Sequence, residues 1–174
     1  MTAIETLIRD VPDFPQKGIV FKDITPLLAD PEGLATTIRL LVEPFRDQNV
    51  QVVCGTESRG FIFGTAAAVM LGAGFVPIRK CGKLPCKTLR AEYALEYGTD
   101  ALEIHADAIR PGQRVLMVDD LLATGGTMAA CCRLVEQLGG LVLGTAFVVE
   151  LSFLKGRDKL TPYPVHSLIK VDGE

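Results

Sequence analysis

The segment Val115-Leu116-Met117-Val118-Asp119-Asp120-Leu121-Leu122-Ala123-Thr124-Gly125-Gly126-Thr127 constrains the fold of this chain more than any other. Its unbroken apolar run, 115–118, suits a parallel strand buried on both faces. Two acids and a loop of small residues follow. Met128, Cys131, Val135 and Leu138 then recur at helical spacing, and Gly139-Gly140 ends that helix. In an open parallel sheet, ligands bind beyond the carboxyl ends of the strands. Gly125 and Gly126 let the backbone turn through positive φ and approach a ligand closely. The start of the next helix offers unpaired N–H groups and the positive end of its dipole, which together suit phosphate. Ala123 keeps the loop small, and Thr124 and Thr127 add hydroxyl donors. Asp119 and Asp120 repel phosphate; they suit sugar hydroxyls, a cation such as Mg²⁺, or a developing positive charge. Donors on one side of a loop and carboxylates on the other describe a sugar phosphate. A plainer reading, with the acids as helix caps and Gly-Gly as a turn, does not account for the whole arrangement. Neither a P-loop nor a dinucleotide fingerprint is present.

The remaining chain reads as strands alternating with helices, which predicts one doubly wound α/β domain with a central parallel sheet. Its 174 residues suit one domain. The reading places a short helix over 2–10, a loop at Pro12 and Pro15, and an extended run at Ile19-Val20-Phe21. Asp30-Pro31 starts a helix carrying Leu34, Ile38, Leu41 and Phe45. Strands follow at 51–54 and 75–78 around an apolar helix at 61–71. Residues 81–99 lack a core pattern and suit a mobile loop or a hairpin. Further strands are expected at 101–105, 114–118, 141–149 and 165–171.

Composition removes several function classes. The net charge is −3 with no basic stripe, against a nucleic-acid partner. The longest apolar stretch, 61–76, is interrupted by Gly64, Gly72 and Gly74 and falls short of a membrane span. Residues 1–10 have no apolar core of a signal peptide, so a cytoplasmic protein is expected. The five cysteines are odd in number and Cys131-Cys132 are adjacent, which reads as reduced thiols rather than a disulfide framework. With no Cys-x-x-Cys pair, and with His105 and His166 far apart, no zinc site is expected. Cys131 and Cys132 read as core.

Two further clusters carry candidate chemistry. Ser58 and Arg59 follow a strand end, where they either start a helix or hold a pyrophosphate through hydroxyl, backbone N–H and guanidinium. Arg79, Lys80 and Lys83 follow the next strand. They form either a solvated face or a cationic cluster that neutralises a departing pyrophosphate.

The stretch 118–127 resembles the signature of the type I phosphoribosyltransferases, which bind 5-phosphoribosyl 1-pyrophosphate (PRPP). Four more motifs resemble the adenine-using branch of that family. They are Phe14-Pro15-x-x-Gly18-Ile19-Val20-Phe21-Lys22-Asp23-Ile24, Glu57-Ser58-Arg59-Gly60-Phe61, Ile78-Arg79-Lys80-x-Gly82-Lys83-Leu84-Pro85 and Tyr93-x-Leu95-Glu96-Tyr97-Gly98. The resemblance runs from about residue 4 to 170. The family commonly carries Asp where Glu57 stands and Arg where Lys22 stands.

The resemblance implies a type I phosphoribosyltransferase fold with a small N-terminal hood (about 1–30) and a flexible catalytic loop (about 81–99). It implies purine salvage: adenine and PRPP give AMP and pyrophosphate, with Mg²⁺ carried by PRPP rather than held in a dedicated protein site. Asp119, Asp120 and the loop 123–127 would take the ribose and 5′-phosphate; Ser58, Arg59, Arg79, Lys80 and Lys83 the pyrophosphate; Val20, Phe21 and Lys22 the adenine. Glu96 would exchange a proton with the purine beside Tyr97 in the closing loop. A homodimer is implied too. Two rival readings, an enzyme for hypoxanthine, guanine or xanthine and a PRPP-sensing regulator, are separable by assay with each base.

Overall fold

Strand order in the main sheet follows from the run of parallel strands. The computed structural model describes residues 4–94 and 99–173. A two-stranded antiparallel sheet, β1 (Arg9–Val11) with β2 (Phe21–Asp23), lies in the stretch expected as the N-terminal hood. Two helices follow, α1 (Thr25–Ala29) and α2 (Pro31–Val42). Then come β3 (Val52–Thr56), α3 (Gly60–Leu71), β4 (Gly74–Lys80), β5 (Thr88–Ala94), β6 (Thr99–His105), β7 (Arg114–Leu122), α4 (Gly126–Gln137), β8 (Leu141–Leu151) and β9 (Val165–Val171). The seven-stranded sheet has the order β5-β6-β4-β3-β7-β8-β9. Strands β4, β3, β7, β8 and β9 are parallel, and β6 pairs antiparallel with both β4 and β5.

The two-residue period of the strands splits the interior into two cores. Val53, Leu116, Val118, Ala146 and Val148 face α2 and α3. Val52, Cys54, Val115, Met117 and Phe147 face α4, with Cys131 and Cys132 on it. With both faces covered, β3 and β7 have no solvent side, hence the apolar runs. Helix α2 begins where the sequence places it: Asp30 accepts a hydrogen bond from the Gly33 amide at 2.6 Å, and Pro31 opens the first turn.

Three expectations change. Of the helix expected over 2–10, the described residues 4–10 hold only one 3₁₀ turn, Glu5–Leu7, and Arg9–Val11 pair with β2. Cross-strand ion pairs hold that hood sheet, Arg9 to Asp23 at 2.5 Å and Lys22 to Asp10 at 2.7 Å. Strand β7 runs four residues past Val118, because ladder pairing to β8 continues through Leu122 opposite Glu150. The two acids therefore sit in the strand and not after it. Of the loop expected over 81–99, Thr88–Ala94 is a strand paired along β6, so the hairpin alternative describes it.

Candidate active site

The carboxyl ends of β3, β4 and β7 open onto one cavity of about 550 Å³. It is lined by Thr56–Arg59, Lys80, Lys83, Tyr93, Asp119–Gly125, Thr127 and Met128. The expected phosphate loop, the acid pair, Ser58, Arg59 and two of the three expected cations thus share one space.

The floor is the end of β7. Asp120 is buried, and its carboxylate meets the Arg59 guanidinium at 2.5 Å. The Arg59 guanidinium also lies 5.3 Å from the ring centroid of Phe21 in the hood. One arginine therefore joins the acid pair to the hood through an ion pair and a cation–π contact. The Asp119 side chain lies beside that of Asp120 and within reach of Thr56, and it lines the same cavity. Its Oδ1 accepts from the Asp120 amide at 2.9 Å and lies under the start of α3. There Gly60 leaves the room: a Cβ at that position would stand 2.7 Å from Asp119 Oδ1. Burial and the neighbouring Asp120 charge push the Asp119 carboxyl well above the usual carboxylate range.

The wall after β7 is the glycine turn. Gly125 has φ +77° and caps α4, so the helix begins at Gly126 and aims its free amides at the loop. Thr124 and Thr127 line the cavity, while Gly126 is the first helical residue and does not. The backbone of Gly125 packs directly on Gly156, which sequence reasoning did not single out.

The opposite wall is built on β3 and β4. Glu57 grips Arg79 with both oxygens, at 3.1 and 3.3 Å, and accepts from the Lys80 amide at 3.0 Å. The Arg79 guanidinium beside Glu57 holds that carboxyl below its usual range. Arg79 also donates to the Lys83 carbonyl at 3.0 Å. Arg79 is therefore not among the cavity-lining residues; it ties the backbone that presents Lys80 and Lys83. Tyr93, on β5, donates to Asp100 at 3.2 Å at the cavity's edge.

Beneath the hood lies a second cavity, of about 310 Å³ and largely apolar, lined by Gly18–Val20, Lys22, Leu151, Phe153, Leu154, Val171 and Gly173. Val20 and Lys22 face it. Phe21 instead places its ring against Arg59 and, edge-on at 5.2 Å, against Phe14. Glu96 and Tyr97 lie outside the described residues. Among the described residues, no cluster of three or more His, Cys, Asp or Glu side chains is arranged to hold a metal ion.

Missing from the sequence reading are Thr56, whose hydroxyl reaches toward Asp119 from β3, and the segment Phe153, Leu154 and Gly156. Thr56 sits one residue before the Glu57-Ser58-Arg59 motif, and its place at a strand end was the available signal. Lys155-Gly156-Arg157 has no periodic or motif signal of its own.

Residues 23–171 match the phosphoribosyl transferase domain family. The chain is 60% identical over 170 residues to the adenine phosphoribosyltransferase of Clostridium perfringens, covering 98% of this chain and 99% of that one. The crystal structure of the adenine phosphoribosyltransferase from Rhodothermus marinus superposes with a TM-score of 0.93 at 56% identity, covering 98% and 99% of the two chains. That of Saccharomyces cerevisiae, complexed with an imino-altritol bisphosphate and adenine, gives 0.89 at 45% identity, covering 95% and 96%. Matched by adenine phosphoribosyltransferases over nearly its whole length, the chain belongs to the adenine phosphoribosyltransferase family, within the phosphoribosyl transferase domains.

Proposed function

We propose that the 550 Å³ cavity transfers the phosphoribosyl group of PRPP to adenine, giving AMP and pyrophosphate, in the manner of a pentosyltransferase. The observation that carries this reading is the meeting of an acid pair, a glycine-capped helix start and Arg59, Lys80 and Lys83 around one space.

The roles follow from the chemistry of each wall. The amides of the 123–127 turn and the hydroxyls of Thr124 and Thr127 take the 5′-phosphate, where helix dipole and donors favour an anion. Asp119 and Asp120 face the ribose hydroxyls, and their field favours positive charge on the ring as the C1–O bond lengthens. Ser58, Arg59, Lys80 and Lys83 take the pyrophosphate and neutralise the charge that grows on it. Arg79 acts through Glu57, by fixing the strand end from which the lysines project. The purine nitrogen then attacks C1 as pyrophosphate leaves.

For adenine, the hood and the second cavity supply the setting. Phe21 offers a ring face, Val20 and Lys22 offer backbone groups for the purine edge, and Phe153 and Leu154 close the apolar side. Because the Lys22 side chain is turned to Asp10, it is the Lys22 backbone that reads the base. Glu96, beside Tyr97, exchanges a proton with the purine ring when the loop closes over it.

The donors present suit Mg²⁺ delivered on PRPP. Asp119 and Asp120 offer at most two carboxylates, and a small cation that keeps its waters needs only these and substrate phosphates. Carried in on PRPP beside Asp119 and Asp120, Mg²⁺ would supply charge neutralisation of the leaving pyrophosphate. We place the reaction in the cytoplasm, a reducing setting that suits the adjacent Cys131 and Cys132. A second copy of the chain would cover the exposed Ile62, Val69 and Met70 on the outer face of α3.

The test is pyrophosphate release from PRPP and Mg²⁺ with adenine, hypoxanthine, guanine and xanthine in parallel. Turnover with adenine alone is expected. Turnover only with a 6-oxopurine would overturn the hood assignment and leave the PRPP site standing. Saturable PRPP binding without turnover on any base would overturn the enzyme reading.

A further inference from the structure

Gly156 is the first residue of a 3₁₀ turn, Gly156–Leu160, that approaches the active site from the far side of β8. The preceding Lys155 has φ +52°, a left-handed residue that turns the chain inward. At Gly156 a Cβ would overlap the Ala123 carbonyl oxygen, and at Gly125 a Cβ would overlap the Gly156 carbonyl oxygen. The two backbones interlock with no space for a side chain from either. Here the reason for glycine at Gly156 is contact alone, because its own φ is not in the left-handed region.

The next residue anchors the turn. Arg157 donates to both oxygens of Glu150, at 2.5 and 2.7 Å, to the Val165 carbonyl at 2.9 Å and to Ser167 Oγ at 3.4 Å. Glu150 is buried on β8, and Val165 and Ser167 lie on β9. Burial alone would push the Glu150 carboxyl up, yet the hydrogen bonds from Arg157 and Ser167 hold it below its usual range, so the pair is ionised at neutral pH. Leu160, fully buried against the α4 core, pins the other end of the turn. A forked ion pair with a buried carboxylate and a partly exposed guanidinium fixes geometry more than it adds stability.

We propose that Gly156 and the Glu150–Arg157 pair are positioning residues that set the backbone of the phosphate loop 123–127. Their effect falls on the 5′-phosphate end of the substrate and not on the pyrophosphate end. This rests on the reading that the loop takes the 5′-phosphate.

Calorimetric titration of the purified full-length protein with ribose 5-phosphate, AMP and pyrophosphate tests both points without needing turnover. The first variant is Gly156→Ala, whose methyl group acts as a wedge on the Ala123 carbonyl. It should weaken ribose 5-phosphate and AMP by about 10- to 100-fold, the scale set by misplacing a site by about 1 Å. Pyrophosphate affinity should stay within about twofold, a change too small to register as lost positioning. In steady state the KM for PRPP should rise while the KM for adenine holds. Arg157→Lys keeps the charge but loses the fork, and should lie between the parent and Arg157→Ala. Thr124→Val with Thr127→Val is the control on the loop itself. If that pair leaves ribose 5-phosphate binding unchanged, the loop is not the phosphate site. If it weakens binding while Gly156→Ala and Arg157→Ala do not, the loop reading stands and the positioning role is overturned. Equal loss of all three ligands in a folded Gly156→Ala protein would also overturn it.

Discussion

The two walls of the cavity are held by different forces. The wall after β3 and β4 is a web of charge: Glu57 with Arg79 and the Lys80 amide, and Arg59 with Asp120. The wall after β7 is held by contact: Gly125 against Gly156, with no ion pair within the loop among the described residues. Charge can adjust as an anion arrives and departs, because a guanidinium has other acceptors to turn to. A glycine interlock cannot. The difference matches the proposed fates of the two groups, since pyrophosphate leaves in the reaction while the 5′-phosphate stays with the product.

The largest effect is expected where the walls meet. Replacing Asp119 and Asp120 together with Asn should lower turnover by about 10²- to 10³-fold, the cost of removing preorganised charge from a site. A cooperative melting transition should survive, and near-normal turnover would remove the acid pair from the mechanism.

Next is the contact wall. Gly125→Ala must place a side chain at φ +77° and against the Gly156 carbonyl oxygen. A loss of about 1–3 kcal/mol in urea unfolding is expected from the strained backbone. Ser58→Ala on the charge wall should leave unfolding nearly unchanged, because among the described residues no side-chain hydrogen bond of Ser58 holds that wall together. Equal destabilisation by the two would erase the distinction between the walls.

The smallest effects concern pH, and the two acids should show opposite signs. Asp119 is held above its ordinary value, near 3.8, by burial and by Asp120. Its contribution to stability is present below that value and is lost as pH rises through the raised folded value. Asp119→Asn should therefore melt at or above the parent at neutral pH, with the gap closing toward pH 4 (the ordinary range for Asp). Glu57 is held below its ordinary value, near 4.5, by Arg79. Its contribution is present above that value and is lost as pH falls through the lowered folded value. Glu57→Gln should melt below the parent at neutral pH and converge with it in acid. Melting curves of the two variants across this range check both signs, and the same sign for both would break the contrast.

How legible all this was in the sequence depends on range. The β7 run, the loop 123–127 and the start of α2 at Asp30-Pro31 are local patterns, and the structure places them as the residues indicate. Arg9-Asp10-Val11 carries no strand pattern; it is a strand because Arg9 and Asp10 find Asp23 and Lys22 across the hood. Arg79 reads as a ligand-facing cation until Glu57, 22 residues earlier, is seen to claim it. Gly156 lies about 30 residues from the loop it supports, and nothing in its neighbours reports that contact. The strand continuing through Asp119 and Asp120 was hidden for a related reason: the ladder to β8, not the apolar run, decides where β7 ends.

The placement of the cysteines has a use beyond packing. Cys54, Cys131 and Cys132 are fully buried between β3 and α4, while Cys81 and Cys86 are exposed. Burial pushes the Cys132 thiol up to about 12 and raises Cys54 and Cys131 as well, so none of the three forms thiolate at neutral pH. Toward an alkylating reagent the folded chain presents two thiols and the opened chain five. The protein thus carries its own clock for opening of the α4 core, read as reagent mass added over time at its native thiols.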